Sequence, residues 1–383
     1  MKYIPYGRQS IDKDDIKEVI KVLKSDWLTQ GPMVQRFEES LAKYCGAKYV
    51  VAVSSGTAAL HLACLAAGLK KGDEAITSPI TFLATPNVVL YTGAKPVFAD
   101  IDYDTVNIKP EDIKKNISKK TKVVLPVHFA GLPCDMPEIA KIARKYNLIV
   151  IEDACHALGA EYKTNGKWIK VGSCKHSDMT VFSFHPVKHI TTGEGGAITT
   201  NNKKLYEKLK ILRNHGIYKN KIVIKKKPWY YEMRDLGFNY RITDFQCALG
   251  ISQLKKINRF INRRVEIIDI YSNFFKNIKG IKIPFSANDF KSSWHIYILK
   301  INYKYFKLSR LELMEVLKKQ GIATQVHYIP VYRQPFYKKF AFDFKDYPGA
   351  ESYYERALTL PIYPKMTNGD VARVGNSIRK VLN

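Results

Sequence analysis

Between residues 49 and 200, short apolar runs alternate with small-residue turns and helical stretches, and no other feature limits the possible folds as much. Tyr49–Val53, Glu74–Thr77, Pro96–Ala99, Val123–Val127 and Leu148–Ile151 read as buried strands. Helices are expected over Ala58–Gly68, Phe82–Tyr91 and Met136–Tyr146, and two further strands at Met179–Phe184 and Gly196–Thr200. Strands joined through helices favour parallel pairing with helices on the sheet faces, so the expectation is an α/β layered domain with a mostly parallel central sheet. In such sheets ligands bind outside the carboxyl ends of the strands. Thr57, Phe82, Asp153 and His156 all fall just past expected strand ends and can converge there.

The flanking segments extend this plan. Helices are expected over Ile11–Ser25 and Met33–Cys45, broken by Trp27–Pro32. After a helix over Asn202–Arg213 comes a polar, basic loop, His215–Lys227, and then one long helix, Thr243–Ile278. Ser293–Ile301 reads as a strand, and Ser309–Gln320 as a helix with Ser309 and Glu312 in capping-box spacing. Leu360–Pro364 precedes a final helix. The expected division is a large domain, residues 1–250, and a smaller C-terminal α/β domain, residues 251–383, with the N-terminal segment packing on the smaller one.

Two positions suggest chemistry. Ser183-Phe184-His185-Pro186-Val187-Lys188 continues to Gly196 and places a lysine in a loop between two strands. A partly desolvated lysine loses proton affinity and can act as an amine nucleophile, whereas an ordinary lysine is a surface charge. Asp153 ends a buried apolar run 35 residues earlier. A carboxylate there needs a partner, either a basic side chain, a helix end or a protonated ring nitrogen of a cofactor. Ser54-Ser55-Gly56-Thr57 joins a strand to a helix start, which is either an anion site or an ordinary cap.

Composition narrows the class. With 46% hydrophobic and 25% charged residues the chain reads as a soluble globular protein. No apolar run reaches the roughly 18–20 residues of a membrane span, and no apolar signal core follows Met1, so the expected location is the cytoplasm. Six scattered cysteines without a CxxC pair fit reduced thiols, with Cys64 and Cys155 as core packing, and no metal site is expected. The formal net charge of +27 admits a nucleic-acid-binding regulator, but the basic residues are dispersed and carry no nucleic-acid motif. A basic surface equally suits acidic small substrates such as nucleotide diphosphates.

Taken together, Trp27–Pro32, Ser54–Ala58, Thr81-Phe82, Glu152–Ala154, Ser183–Gly196 and Gly237–Arg241 resemble the DegT/StrS family of pyridoxal-phosphate (PLP) sugar-nucleotide aminotransferases, of fold type I. The resemblance implies that Lys188 forms the Schiff-base link to PLP and that Asp153 partners the pyridine nitrogen. It implies further that His156 lies beside the ring and Phe82 stacks on it. Gly56, Thr57 and Ser183 then resemble phosphate ligands, with Asn239 reaching the phosphate from a neighbouring subunit in a homodimer with shared sites. Family members with His at the Lys188 position act as dehydratases, so the lysine favours transamination, with glutamate as the expected donor.

Among the branches, these motifs look most like the C4 aminotransferases of the pseudaminic acid pathway, which act on UDP-4-keto-6-deoxy-N-acetyl-L-altrosamine-type sugars. His189-Ile190 departs from the Pro-Ile common in close relatives. The alternatives are C4 aminotransferases for UDP-4-keto-arabinose or a perosamine precursor. Tyr6, Leu28, His327 and Tyr328 are the expected substrate contacts, and Trp294 and His295 either face substrate or pack in the core.

Overall fold

The computed structural model describes residues 2–382. Helices α1 (Lys13–Leu23) and α2 (Pro32–Cys45) precede strand β1 (Tyr49–Val53) and helix α3 (Gly56–Ala66). Then follow β2 (Glu74–Thr77), α4 (Ala84–Tyr91), β3 (Lys95–Phe98), α5 (Pro110–Lys115), β4 (Thr121–Leu125), α6 (Met136–Tyr146) and β5 (Ile149–Asp153). A hairpin of β6 (Glu161–Thr164) and β7 (Lys167–Lys170) leads to β8 (Met179–Ser183) and β9 (Gly196–Thr200). Its Asn165-Gly166 turn has positive φ at both residues, the pairing that a tight two-residue hairpin requires.

Seven of these strands form one sheet in the order β1-β9-β8-β5-β4-β2-β3. The pairs β2–β3, β2–β4, β4–β5 and β5–β8 are parallel, and β9 runs antiparallel to both its neighbours. Side chains alternate between the two faces, and each face has its own apolar core. Val50 and Ala52 join Phe37, Leu41 and Ile139, whereas Val51 and Val53 join Leu60, Leu62 and Leu209. Burial on both faces explains why the strands read as continuous apolar runs.

Beyond the sheet come α7 (Lys203–Arg213), β10 (Ile217–Tyr218), α8 (Lys221–Lys226), β11 (Glu232–Met233), α9 (Asp244–Leu254) and α10 (Ile257–Phe275). The chain ends with β12 (Ile281–Lys282), β13 (Phe290–Lys291), β14 (Tyr297–Ile301), α11 (Arg310–Lys319), α12 (Pro348–Arg356), β15 (Ala357–Leu360) and α13 (Asn368–Leu382). Strands β12, β14 and β15 make an antiparallel sheet whose Tyr297, Leu299 and Leu360 pack with Ile267 and Tyr271 of α10 and Val374 of α13. Ile4 belongs to the same cluster and bridges to Ile322, while β13 pairs with β6. Among the described residues no helix is long and apolar enough to cross a membrane.

Three expectations about local structure are corrected. The basic loop contains β10 and a short helix, α8, which begins where the Asn220 side chain accepts the amides of Ile222 and Val223. The expected long helix is two, interrupted at Lys255-Lys256, where neither Gly nor Pro marks a break. Tertiary contacts set the boundary instead: Lys256 Nζ donates to Asp15 at 2.9 Å and pairs with Asp12, both from the start of α1. Buried Asp15 also accepts from Ser252 Oγ at 2.6 Å and Gln253 Nε2 at 2.8 Å. Replacing Asp15 with Ala leaves Lys256 paired to Asp12 alone and removes the buried acceptor of Ser252 Oγ and Gln253 Nε2. The variant should lose about 1–3 kcal/mol in urea unfolding, the scale of a buried polar group left unpaired. Finally, Ser293–Ile301 forms a strand only from Tyr297, because Trp294 sits at φ +51° and the amides of Ser293 and His295 donate to Gly131 and Ala130 carbonyls. That detour matters for the site.

Candidate active site

Strand pleating separates the two acids at the end of β5. Glu152 is buried among His128 Nε2 at 2.6 Å, Thr180 Oγ1 at 2.7 Å and the Ser177 hydroxyl. Burial alone would raise its pKa, but the His128 bond and charge, with the two hydroxyls, outweigh this and leave the carboxyl below its ordinary value. Glu152 is thus committed to structure. Asp153 points the other way. Its Oδ2 accepts from Thr85 Oγ1 at 2.7 Å and its Oδ1 from the Cys155 amide at 3.2 Å. Thr85 gives its only hydroxyl proton to the acid, so its oxygen accepts from Thr81 Oγ1 at 2.8 Å, four residues earlier and ahead of α4. The two threonines form a directed chain that ends on the carboxylate. Thr85 was not among the expected site residues; its four-residue spacing from Thr81, one residue before Phe82, is the signal that could have found it.

Lys188 lies in the loop between β8 and β9. The loop is tied to its own start: Phe184 O accepts from Thr191 Oγ1 and the Thr192 amide, both at 3.0 Å, and His185 O accepts from the Lys188 amide at 2.9 Å. The lysine is half-buried. Loss of hydration lowers the proton affinity of its amine, and Cys155 and the Asp153 carboxylate pull partly the other way. The Asp153 carboxylate is therefore one of the groups acting on this amine. Nζ meets His295 Nε2 at 3.4 Å.

Aromatic and imidazole side chains complete the walls. His156 is buried, its Nε2 lies 3.3 Å from the Tyr328 hydroxyl, and its Nδ1 has no partner among the described residues. Burial, then the Lys188, His327 and His189 charges, push its protonation well below the ordinary range, so the ring is neutral. Phe82 is 58% exposed, unusual for so large an apolar ring, and its centroid lies 6.1 Å from that of Tyr328. His327 bonds Thr359 Oγ1 at 2.9 Å, and burial with the Lys188 charge pushes its pKa down to about 4. The Tyr6 ring lies 5.7 Å from His327. Tyr6, His327, Tyr328, His156 and Phe82 thus form one connected group.

The turn after β1 closes the other end. Ser55 caps α3 by accepting the Ala58 amide at 3.1 Å, which leaves the Gly56 and Thr57 amides without intrahelical acceptors. A Cβ on Gly56 would stand 2.8 Å from Ser183 Cβ, so only glycine lets the helix start approach β8 this closely. The other two expected residues lie elsewhere on this chain. Leu28 is 48% exposed with its carbonyl bonded to the Asp244 amide, and Asn239 is exposed on a bridge with Asn214. Cys155, expected as core packing, is only partly buried and lies beside Gly56 and Asp153, whereas Cys64 is buried.

A seven-stranded, mostly parallel sheet with a lysine, a strand-end aspartate and a helix start meeting at one recess defines a PLP-dependent transferase of fold type I. The chain belongs to the DegT/DnrJ/EryC1/StrS aminotransferase family, whose model matches residues 9–379. It is 42% identical over 385 residues to the spore coat polysaccharide biosynthesis protein SpsC of Bacillus subtilis, covering 99% of this chain and 97% of that one. It is 41% identical over 386 residues to a UDP-4-amino-4,6-dideoxy-N-acetyl-beta-L-altrosamine transaminase of Campylobacter jejuni, again covering 99% and 97%. The solved structure of Helicobacter pylori PseC, an aminotransferase involved in the biosynthesis of pseudoaminic acid, matches with a TM-score of 0.92 at 34% identity, covering 100% of this chain and 99% of that one.

The chain is accordingly a PLP-dependent sugar aminotransferase. The recess fits the cofactor on its own terms. It offers an amine of reduced proton affinity, an acceptor-only acid, an exposed aromatic face, a buried ring nitrogen lacking a partner, and free amides for an anion.

Proposed function

We propose that this enzyme moves the amino group of glutamate to C4 of a UDP-4-keto-6-deoxy-N-acetylhexosamine, in pseudaminic acid biosynthesis. The observation that carries the chemistry is a desolvated Lys188 amine, bonded at 3.4 Å to His295 Nε2, within the field of the strand-end carboxylate of Asp153. The choice of sugar rests on the Campylobacter transaminase and on PseC.

When bound, PLP supplies an electron sink for negative charge developing on the carbon next to the transferred nitrogen. The chain's own groups do the rest. Lys188 would anchor the cofactor, and its Nζ, once freed by glutamate, would take the proton from the donor Cα and carry it to the acceptor side of the reaction. Asp153, held by Thr85 and the Cys155 amide, would offer its charge to the pyridine nitrogen. Phe82 would stack on the ring, and neutral His156 would lie beside it without adding charge. The Gly56 and Thr57 amides and Ser183 would hold the phosphate, joined by Asn239 from the second subunit of a homodimer. Tyr6, His327 and Tyr328 line the sugar side, with Leu28 at its rim.

A second reading, a C4 aminotransferase for a different nucleotide sugar, draws on the 42% identity to SpsC, whose name belongs to spore coat polysaccharide biosynthesis. Its candidates are UDP-4-keto-arabinose and a perosamine precursor. Incubation with glutamate and a panel of 4-keto sugar nucleotides separates the two. The altrosamine-type sugar should exceed the others in kcat/KM by about 10⁴-fold, the discrimination expected when a site built to pair polar groups meets a substrate lacking them. Equal or faster turnover of 4-keto-arabinose selects the second reading.

A further inference from the structure

The Lys188 amine makes one side-chain hydrogen bond among the described residues, to His295 Nε2 at 3.4 Å. We propose that His295 is a positioning residue for Lys188, accepting an N–H of the ammonium whenever Lys188 carries the transferred proton. The proton taken from one carbon is thereby held between its two destinations until it is given up again, and the amine returns unchanged. The inference rests on the role of Lys188 proposed above.

His295 is fixed by its backbone rather than by its ring. Its amide donates to Ala130 O at 2.9 Å, and its carbonyl accepts from Arg264 Nη1 at 3.0 Å. The same guanidinium holds Trp294 O at 3.1 Å and Ile362 O at 3.3 Å. These bonds maintain the left-handed Trp294 that turns the segment toward Lys188, a conformation a tryptophan does not adopt by preference. Arg264 is 1% exposed and forms no ion pair with a carboxylate among the described residues.

The electrostatics agree with that geometry. Burial first, then the Lys188 charge, the crowding of two more imidazoles (His156 and His189) and the Arg264 charge hold His295 well below its ordinary pKa, so its ring stays neutral and keeps a lone pair. The groups facing the amine come from every neighbouring element. They are His189 from its own loop, and Asp153, Cys155 and His156 from the end of β5. The remainder are His295 with Arg264 behind it, and His327 from the segment after α11, with Tyr328 and Tyr6 one neighbour further out. Asp153 is the carboxylate among them and is already bonded to Thr85 and Cys155.

The cost of the arrangement also argues against mere core filling. For Nε2 to accept, the ring proton must sit on Nδ1, which is buried with no partner among the described residues. A phenylalanine would fill the same space without that orphan. His295→Phe should therefore fold at least as stably as wild type and yet lose the effect on Lys188.

The test measures the amine directly. In cofactor-free protein, the rate of reductive methylation of Lys188 is followed by peptide mass spectrometry across pH. The titration midpoint should fall by about one unit in His295→Phe, because the ammonium loses a hydrogen bond of the charged class. His295→Gln, whose amide oxygen reaches the same place, should stay within about 0.3 units of wild type. Turnover should follow, with kcat about 10-fold lower in the Phe variant, both KM values changed less than about threefold, and Gln restoring most of it. A wild-type midpoint and kcat in His295→Phe overturns the proposal. If that variant does not accumulate, His295→Asn, too short to reach Nζ, must show the same fall, and a wild-type midpoint there overturns it equally. Borohydride reduction of the PLP-loaded wild type separates the two ideas: a pyridoxyl mass absent from Lys188 removes the role of the lysine itself.

Discussion

Lys188→Ala should lower transaminase turnover by about 10³–10⁴-fold, because the proposal makes one side chain both covalent anchor and proton carrier. Borohydride should leave a pyridoxyl mass on Lys188 of the wild type and none on the variant. The fold should survive. The loop is held by the bonds of Thr191, Thr192 and His185 to backbone, none of which uses the lysine side chain. Near-ultraviolet circular dichroism should therefore be unchanged in the cofactor-free form. The pH dependence has a definite sign. Lost hydration lowers the amine pKa, so the neutral form persists to lower pH than in an exposed lysine. Reaction of the cofactor-free protein with PLP should slow as pH falls through that lowered value. Turnover of the alanine variant within tenfold of wild type removes the proposed role.

The parts of this site that were legible in the sequence are those set by local rules. Asp153 stands out because it ends an apolar run, and Lys188 because it interrupts a small-residue loop between two strands. Even so, nothing in the order Glu152-Asp153 says which acid faces the recess. The pleat and His128 decide that, and His128 lies 24 residues from Glu152 in the chain. His295 was harder still. Ser293–Ile301 has the alternation of a strand, and only the left-handed Trp294, held by Arg264 from α10, turns His295 toward Lys188. Likewise the break between α9 and α10 has no Gly or Pro. It follows from contacts with α1 across more than 230 residues, Asp15 to Ser252 being separated by 237. Local propensity marks elements and strand ends, whereas long-range partners choose which side chain enters the recess.

Asp153→Asn tests the electrostatic half of the proposal. The substitution is isosteric, so the strand end and the Cys155 amide contact can persist. The change lies in charge and in direction. The carboxylate only accepts, which orients the hydroxyl protons of Thr85 and Thr81 toward it. An amide can donate as well, so the chain of hydroxyls can reverse and the negative field at the recess is lost. Transition-state stabilisation should fall by about 3–4 kcal/mol, the scale of unpairing a buried charge, which corresponds to roughly 10²–10³-fold in kcat. Glu152→Gln provides the contrast, since that acid is bonded to His128, Thr180 and Ser177 on the opposite side of the strand. It should reduce stability while leaving turnover per folded molecule close to wild type. If Asp153→Asn instead weakens PLP retention but leaves turnover per bound cofactor intact, the acid is an anchor only, and its charge does not assist the proton transfers made by Lys188.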